Sequence, residues 1–218
     1  MKQGVPEPQA ALDRIVIIEN NDPLVDLRST PNLLFRDLAN HNPVIPFLRK
    51  PVADMLAQAA AKLAPDFQLM VISALRDFTQ QQRIWDTHYT RNKAEHPDWP
   101  ESAIRRLCNK YAAPTDHPAP PGHTTGGAVD VVLVRPDGSY VDIVPPDLED
   151  WSLSYTFTNK ISPETRVLRM LLHDTMIGVG FSNCRDEYWH YSYGDSGWAV
   201  RTGKKECMYG VATPPILG

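Results

Sequence analysis

The chain has 218 residues, enough to bury a real core in one domain, and its 42% hydrophobic and 22% charged residues are ordinary for a globular protein. A net charge of −4 without a basic run argues against a nucleic-acid binder, and no apolar stretch reaches the length of a membrane span. Three cysteines, Cys108, Cys184 and Cys207, form no Cys-x-x-Cys pair; they read as reduced, mostly buried thiols, not as a disulfide framework or a structural zinc knot.

Residues 1–9 are polar and proline-containing and lack the basic, apolar and small-residue succession of a secretory signal, so a cytoplasmic chain is expected. Twenty prolines cut the sequence into short elements, with loops expected at 43–51, 114–121, 145–146 and 214–215. Apolar residues at Val52, Met55, Leu56, Ala59, Ala60 and Leu63 lie on one face of a helix over 52–63. A short apolar strand follows over 68–75. A second helix begins near Phe78 and includes Gln82, Ile84 and Trp85, and residues 101–111 form a weaker helical segment. The valine-rich run 128–134 reads as a strand, and Pro136-Asp137-Gly138-Ser139 as a hairpin turn into 140–143. A third helix starts at Ser162, with Pro163 and Glu164 in its first turn. It carries a stripe of Val167, Leu168, Leu171, Leu172 and Met176 and ends at Gly178 and Gly180. Residues 188–193 alternate aromatic and polar side chains as a strand does. There is no regular βαβ rhythm and no internal repeat. The expected architecture is α+β: one domain over 1–218, a mainly antiparallel sheet flanked by helices and the reactive site on the sheet. Residues 1–25 form a variable leading segment, and 114–122 a proline-rich loop.

Chemistry concentrates in two short segments. The first runs Gly122-His123-Thr124-Thr125-Gly126-Gly127-Ala128-Val129-Asp130, and the second is Glu187-Tyr188-Trp189-His190. Together they offer two imidazoles, a carboxylate ligand and a spare carboxylate, an inventory that suits a catalytic zinc with its fourth position open. The spare glutamate can take the proton that an activated water gives up. Gly126 and Gly127 allow a tight backbone reversal, and an aspartate inside Ala-Val-Asp-Val-Val-Leu-Val is costly to bury unless paired or bound to metal. The plainer alternatives are an Asp130 that caps a strand end and a His190 that is a satisfied, half-buried side chain. Strict alternation would put Glu187 and His190 on opposite faces of a strand, so a shared site needs Glu187 at the strand's start or beside a bulge.

His-x-x-Gly-x-Ala-x-Asp followed by Glu-x-Trp-His resembles the zinc D-alanyl-D-alanine dipeptidases, the VanX-like branch of the D-Ala-D-Ala peptidases. The resemblance extends to Asp26-Leu27-Arg28-Ser29-Thr30 and to Ser73-Ala74-Leu75-Arg76-Asp77, with glutamines 80–82 and Trp85 behind it. It implies one zinc held by His123, Asp130 and His190, with Glu187 as general base and later general acid. It also implies that Arg76 helps polarise the scissile carbonyl; without the family, Arg76 reads as a surface arginine after a strand. The acid that meets the substrate's free amine matches Asp147 by spacing, with Glu149 and Asp150 as rivals. The chain departs from the family at Ser29, where a tyrosine is usual, and at Pro121, where a serine is usual. Both positions concern substrate contact. His117, in the proline-rich loop, is read as a loop residue and not a fourth ligand. The activity implied is hydrolysis of a short D-amino-acid dipeptide such as D-Ala-D-Ala, with no nucleic-acid or membrane partner. The rivals are a D,D-carboxypeptidase that trims cell-wall stem peptides and a catalytically silent cell-wall peptide-binding module. Glu187 argues against the silent module, which has no need of a general base.

Overall fold

Seven consecutive buried residues, Ala128–Val134, make the strand around which the chain folds. β-Branched residues dominate it, and their stiff side chains suit a pleated surface covered on both faces. The computed structural model describes residues 4–36, 44–141 and 150–214. In chain order these residues form α1 (Gln9–Leu12), β1 (Val16–Ile17), β2 (Leu24–Asp26), β3 (Leu33–Phe35), β4 (Phe47–Arg49), α2 (Lys50–Leu63) and β5 (Gln68–Ser73). There follow α3 (Phe78–Glu95), α4 (Glu101–Cys108), β6 (Ala128–Val134), α5 (Pro163–Gly178), β7 (Ser182–Asn183), β8 (His190–Ser192), α6 (Ser196–Arg201) and β9 (Glu206–Cys207). Among the described residues, no helix is long and apolar enough to cross a membrane.

The main sheet has the order β3-β5-β6-β8-β7. The pairings β5–β6, β6–β8 and β7–β8 are antiparallel, and β3–β5 at the edge is parallel, so the sheet is mixed. Two small pairs, β1–β9 (parallel) and β2–β4 (antiparallel), lie outside it. Val129, Val131 and Leu133 of β6 join Leu69 and Val71 of β5, six apolar residues of α2 from Val52 to Leu63, and Leu172 and Met176 of α5 in one apolar cluster. Each such side chain, fully buried, stabilises the fold by roughly 1.5–3 kcal/mol. Strand alternation points Asp130 away from Val129 and Val131, toward the opposite face.

α2 begins with Pro51 in its first turn, and its buried residues are those of the expected face except Met55, which is only partly covered, with Ala53 added. α3 starts where Asp77 caps it, accepting from Gln80 N at 2.7 Å. α3 and α4 pack on each other through Trp85, Ile104 and Cys108, a cluster separate from the main core. The turn after β6 forms as expected: Arg135 N donates to Ser139 O at 2.9 Å, and Tyr140 bridges back to Val134; residues 142–143 lie outside the described residues.

Three expectations need correction. The loop expected over 43–51 contains β4 (Phe47–Arg49), and α2 already begins at Lys50. In α5 only Leu172 and Met176 of the stripe are fully buried, while Val167 and Leu171 face solvent. The flank is occupied instead by Arg169, 2% exposed, whose guanidinium donates to the carbonyls of Leu153 and Tyr155 at 2.9 Å and lies 3.9 Å from the centre of the Tyr188 ring. The strand expected over 188–193 is regular only from His190, because His190 N donates to Glu187 O at 3.0 Å and closes a turn through Tyr188 and Trp189.

The reversal before β6 needs its glycines for different reasons. Gly126 has φ +71°, a left-handed conformation that a Cβ disfavours. At Gly127 a Cβ would stand 2.7 Å from Tyr193 O, on the chain that continues β8. Gly127→Ala should therefore lower the unfolding free energy by about 1–3 kcal/mol, as overpacking against backbone does. Urea unfolding measures this, and an unshifted midpoint would mean that the two chains part without cost.

Candidate metal centre

Four separate segments deliver the reactive side chains. His123 sits in a single 3-10 turn, Gly122–Thr125, held between Pro121 and the left-handed Gly126. Asp130 is the third residue of β6, directly paired with His190, the first of β8. Opposite Asp130 the β5–β6 register shifts between Val71 and Ser73, a bulge that re-aims the end of β5. Arg76 follows that bulge, its N–H bonded to His123 O at 3.0 Å. Glu187 stands three residues before His190 across the turn through Tyr188 and Trp189. The turn, not a strand, lets both side chains reach one cavity.

The ligand-type atoms converge. Asp130 Oδ1 lies 3.1 Å from His123 Nε2 and 2.9 Å from His190 Nδ1, and the two ring nitrogens are 3.2 Å apart. His123 Nδ1 is 2.8 Å from Ala74 O, and a carbonyl only accepts, so Nδ1 carries the proton. Burial lowers the pKa of this imidazole, which leaves it neutral with the Nε2 lone pair aimed at a carboxylate oxygen. Two lone pairs facing each other at hydrogen-bond distance call for a cation between them. Tetrahedral bonds of about 2.0–2.2 Å to zinc set neighbouring ligand atoms about 3.3–3.5 Å apart, close to the spacing found here. Among the described residues, His123, Asp130 and His190 are the group of this kind that could hold a metal ion.

Comparison with known proteins identifies the family. The family model described as D-ala-D-ala dipeptidase matches residues 32–206. The chain belongs to that family. A D-alanyl-D-alanine dipeptidase of Synechocystis sp. is 27% identical over 175 residues, covering 70% of this chain and 71% of its own. Among solved structures, VanYB in complex with D-alanine-D-alanine aligns at 17% identity, covering 72% of this chain and 79% of its own, with a TM-score of 0.47. A Zn(II) complex of a variant D,D-pentapeptidase VanY from a VanB-type resistance cassette aligns at 15% identity over 88% of this chain and 96% of its own, also with a TM-score of 0.47. VanXYg, a D,D-dipeptidase in complex with a phosphinate analogue of D-Ala-D-Ala, aligns at 19% identity over 89% and 70%, with a TM-score of 0.40.

Around the tripod the electrostatics are steep. Burial would raise the Asp130 carboxyl, but the hydrogen bond and charge of the His190 imidazole oppose it, and the group is held below the ordinary carboxylate range. At His190 burial works downward, and the hydrogen bond to Asp130 reverses it, raising the imidazole. Asp130 Oδ2 accepts from Arg76 Nη2 at 3.4 Å. Arg76 is fixed in turn by Ser73 Oγ at 3.0 Å and Gln81 Oε1 at 3.2 Å, and Gln81 is itself anchored to Ala113 O at 2.9 Å. Glu187 shares the cavity with His123, Asp130, His190, Arg76 and Gln81, and burial pushes its carboxyl up to about 7.

The cavity holds about 800 Å³, within the roughly 300–1,000 Å³ of small-molecule sites. Tyr111, Trp151 and Trp189 make an aromatic wall, their rings meeting edge to face at 5.3 and 6.0 Å. Pro121 lines it, whereas Ser29 lies in an exposed turn away from it. Asp147 and Glu149 lie outside the described residues. Asp150 does not reach the cavity: it caps the turn Trp151–Ser154 and pairs with Lys160 at 2.7 Å, which lowers its carboxyl to about 2. His117 meets Asp13 at 2.9 Å and not the tripod. Gln81 and the three aromatics were not singled out from the sequence as cavity residues. Glutamine and tryptophan have no spacing rule that separates cavity wall from core.

The raised Glu187 carboxyl carries a stability consequence for the metal-free protein. Between 4.5, its ordinary value, and about 7 the folded chain binds more protons than the unfolded chain, so this group makes stability fall as pH rises through that window. Glu187→Gln removes the effect. In chelator, the variant should match wild type below pH 4.5 and exceed it by at most about 3 kcal/mol above pH 7, less where cavity water reaches the carboxylate. Thermal unfolding across pH measures the difference; a constant offset would place the titration elsewhere.

Proposed function

We propose that this chain is a zinc peptidase that hydrolyses D-Ala-D-Ala or a closely related short D-amino-acid dipeptide. The observation that carries the reading is the convergence of His123 Nε2, Asp130 Oδ1 and His190 Nδ1 beside a half-buried Glu187, which makes no salt bridge among the described residues, on one cavity. His123, Asp130 and His190 hold the ion. When bound there, zinc supplies a Lewis acid that polarises a carbonyl and acidifies water. Glu187, near neutrality in its own pKa, takes the proton of the attacking water at its carboxylate and returns it to the leaving amine. Arg76, oriented by Ser73 and Gln81, turns its guanidinium toward the oxyanion that forms as the carbonyl carbon becomes tetrahedral. The Ala74 carbonyl fixes the tautomer of His123 from behind, as such partners do for metal-ligating histidines.

A buried carboxylate placed beside a ligand set speaks for chemistry over silent binding, since such a group is costly to keep without a task. The D,D-carboxypeptidase reading would need a stem peptide to extend past Glu7, Gln9 and Leu12, which line one side of the cavity.

Purified protein should carry one zinc per chain, and His123→Ala or His190→Ala should abolish stoichiometric binding; zinc that survives both changes refutes the ligand set. Glu187→Gln should keep the metal and lose at least about 10²–10⁴-fold in turnover, the usual contribution of general acid–base catalysis. Loss of metal from this variant would make Glu187 a ligand instead. Asp147 is proposed as the partner of the substrate's amine. Asp147→Asn should then narrow, by on the order of 10²-fold, the kcat/KM preference for D-Ala-D-Ala over its N-acetyl form. Better turnover of the N-acetyl form by wild type would leave the carboxypeptidase reading.

A further inference from the structure

Residues 4–17, which the chemistry above does not use, run along one edge of the cavity and touch both loops that deliver its reactive groups. Gly4 lies so close to Arg185 that a Cβ on it would stand 2.4 Å from the Arg185 Cβ, two residues before Glu187. Glu7 Oε2 accepts from Arg201 Nη1 at 2.6 Å, across 194 residues of sequence. Arg201 is buried in α6, and its other donors reach Ser182 Oγ on β7 at 3.0 Å and Ser192 Oγ on β8. Farther along, Asp13 accepts from Gln9 Nε2 at 2.9 Å and Ala119 N at 3.3 Å, and meets His117 Nδ1 at 2.9 Å. His117 and Ala119 belong to the proline-rich loop that leads into His123. Beyond it, β1 pairs in parallel with β9. Between these anchors Glu7, Gln9 and Leu12 line the same cavity as His123, Asp130, Glu187 and His190.

We propose that residues 4–13 form a wall that limits substrate length, with Glu7 as a specificity-determining residue: pinned by Arg201 at one end and by the proline-rich loop at the other, the segment admits a short peptide and blocks a longer one. The proposal rests on the peptidase reading above. Its physical basis is that the wall cannot swing aside without leaving the Arg201 guanidinium buried and stripped of the Glu7 carboxylate, which is unfavourable for a charge held away from water. A peptide too long for the cavity would have to force that separation, and a dipeptide would not.

The test uses the full zinc-loaded chain and compares kcat/KM for D-Ala-D-Ala and for a pentapeptide ending in D-Ala-D-Ala. Alongside wild type stand the double variant Glu7→Ala/Asp13→Ala, and Gly197→Ala, whose methyl group would crowd Glu7 Oε2 at 3.0 Å. Hydrogen exchange over residues 4–17 reads whether the segment is still docked, and zinc content reads whether the centre is intact. The expected result is lost protection over 4–17 with zinc retained, and a pentapeptide-to-dipeptide ratio raised on the order of tenfold or more in both variants. Lost protection with an unchanged ratio overturns the wall. Protection retained in the double variant overturns the pinning by Glu7 and Asp13. Hydrolysis of neither peptide by wild type overturns the peptidase reading and the wall with it, whereas an unchanged ratio in an active enzyme overturns the wall alone.

Discussion

A single buried carboxylate sets the terms for the rest of this structure. Asp130 lies 5% exposed in the central strand of the sheet, where an ionised group is tolerated only if positive or donor groups surround it. The His190 imidazole and the Arg76 guanidinium do so, and the neutral His123 ring completes the set of atoms that a cation would join; each comes from a different part of the chain. β6 can carry the charge because its other face is sealed by α2 and α5, and that apolar contact holds the strand in place while Asp130 points the other way.

Positioning the partners of Asp130 falls to buried arginines and one buried glutamine more than to regular secondary structure. Arg169 ties the turn Trp151–Ser154 to α5 and stacks on Tyr188, between Glu187 and His190. Arg201 gathers Ser182, Ser192 and Glu7. Gln81 links Arg76 to the Ala113 carbonyl. Each buries a polar group that must find more than one hydrogen-bonding partner, so each fixes several chain segments at once. A hydrogen-bonded polar network of this kind specifies one arrangement where apolar packing alone would allow several.

The divergence between the two carboxylates of the site follows from these surroundings. Asp130 is held below the ordinary range by its hydrogen bond with His190, and Glu187, half-buried with no side-chain hydrogen bond among the described residues, is raised to about 7. One acid therefore favours its anion, as a group proposed to hold a cation must, and the other is shifted toward neutral pH, as a group proposed to exchange a proton must be. Environments that separate two titratable groups in this way assign their roles.

Much of this was legible in the sequence. The residue types at 123, 130, 187 and 190 identify the chemistry, because few side chains other than imidazole and carboxylate suit an open zinc site. Hydrophobic periodicity locates α2, short apolar runs locate β5 and β6, and Ser162-Pro163-Glu164 marks the start of α5, because each rests on a local rule of burial or capping. Tertiary structure alone decided the remainder. Val167 and Leu171 look like core and face water, since which side of α5 packs depends on the neighbour it meets. Glu187 and His190 share a cavity only because a turn interrupts the strand that their alternation suggests. The partnership of Glu7 with Arg201 has no sequence signal: contacts between charges 194 residues apart are set by how the elements between them stack, and that is a property of the fold and not of any local pattern.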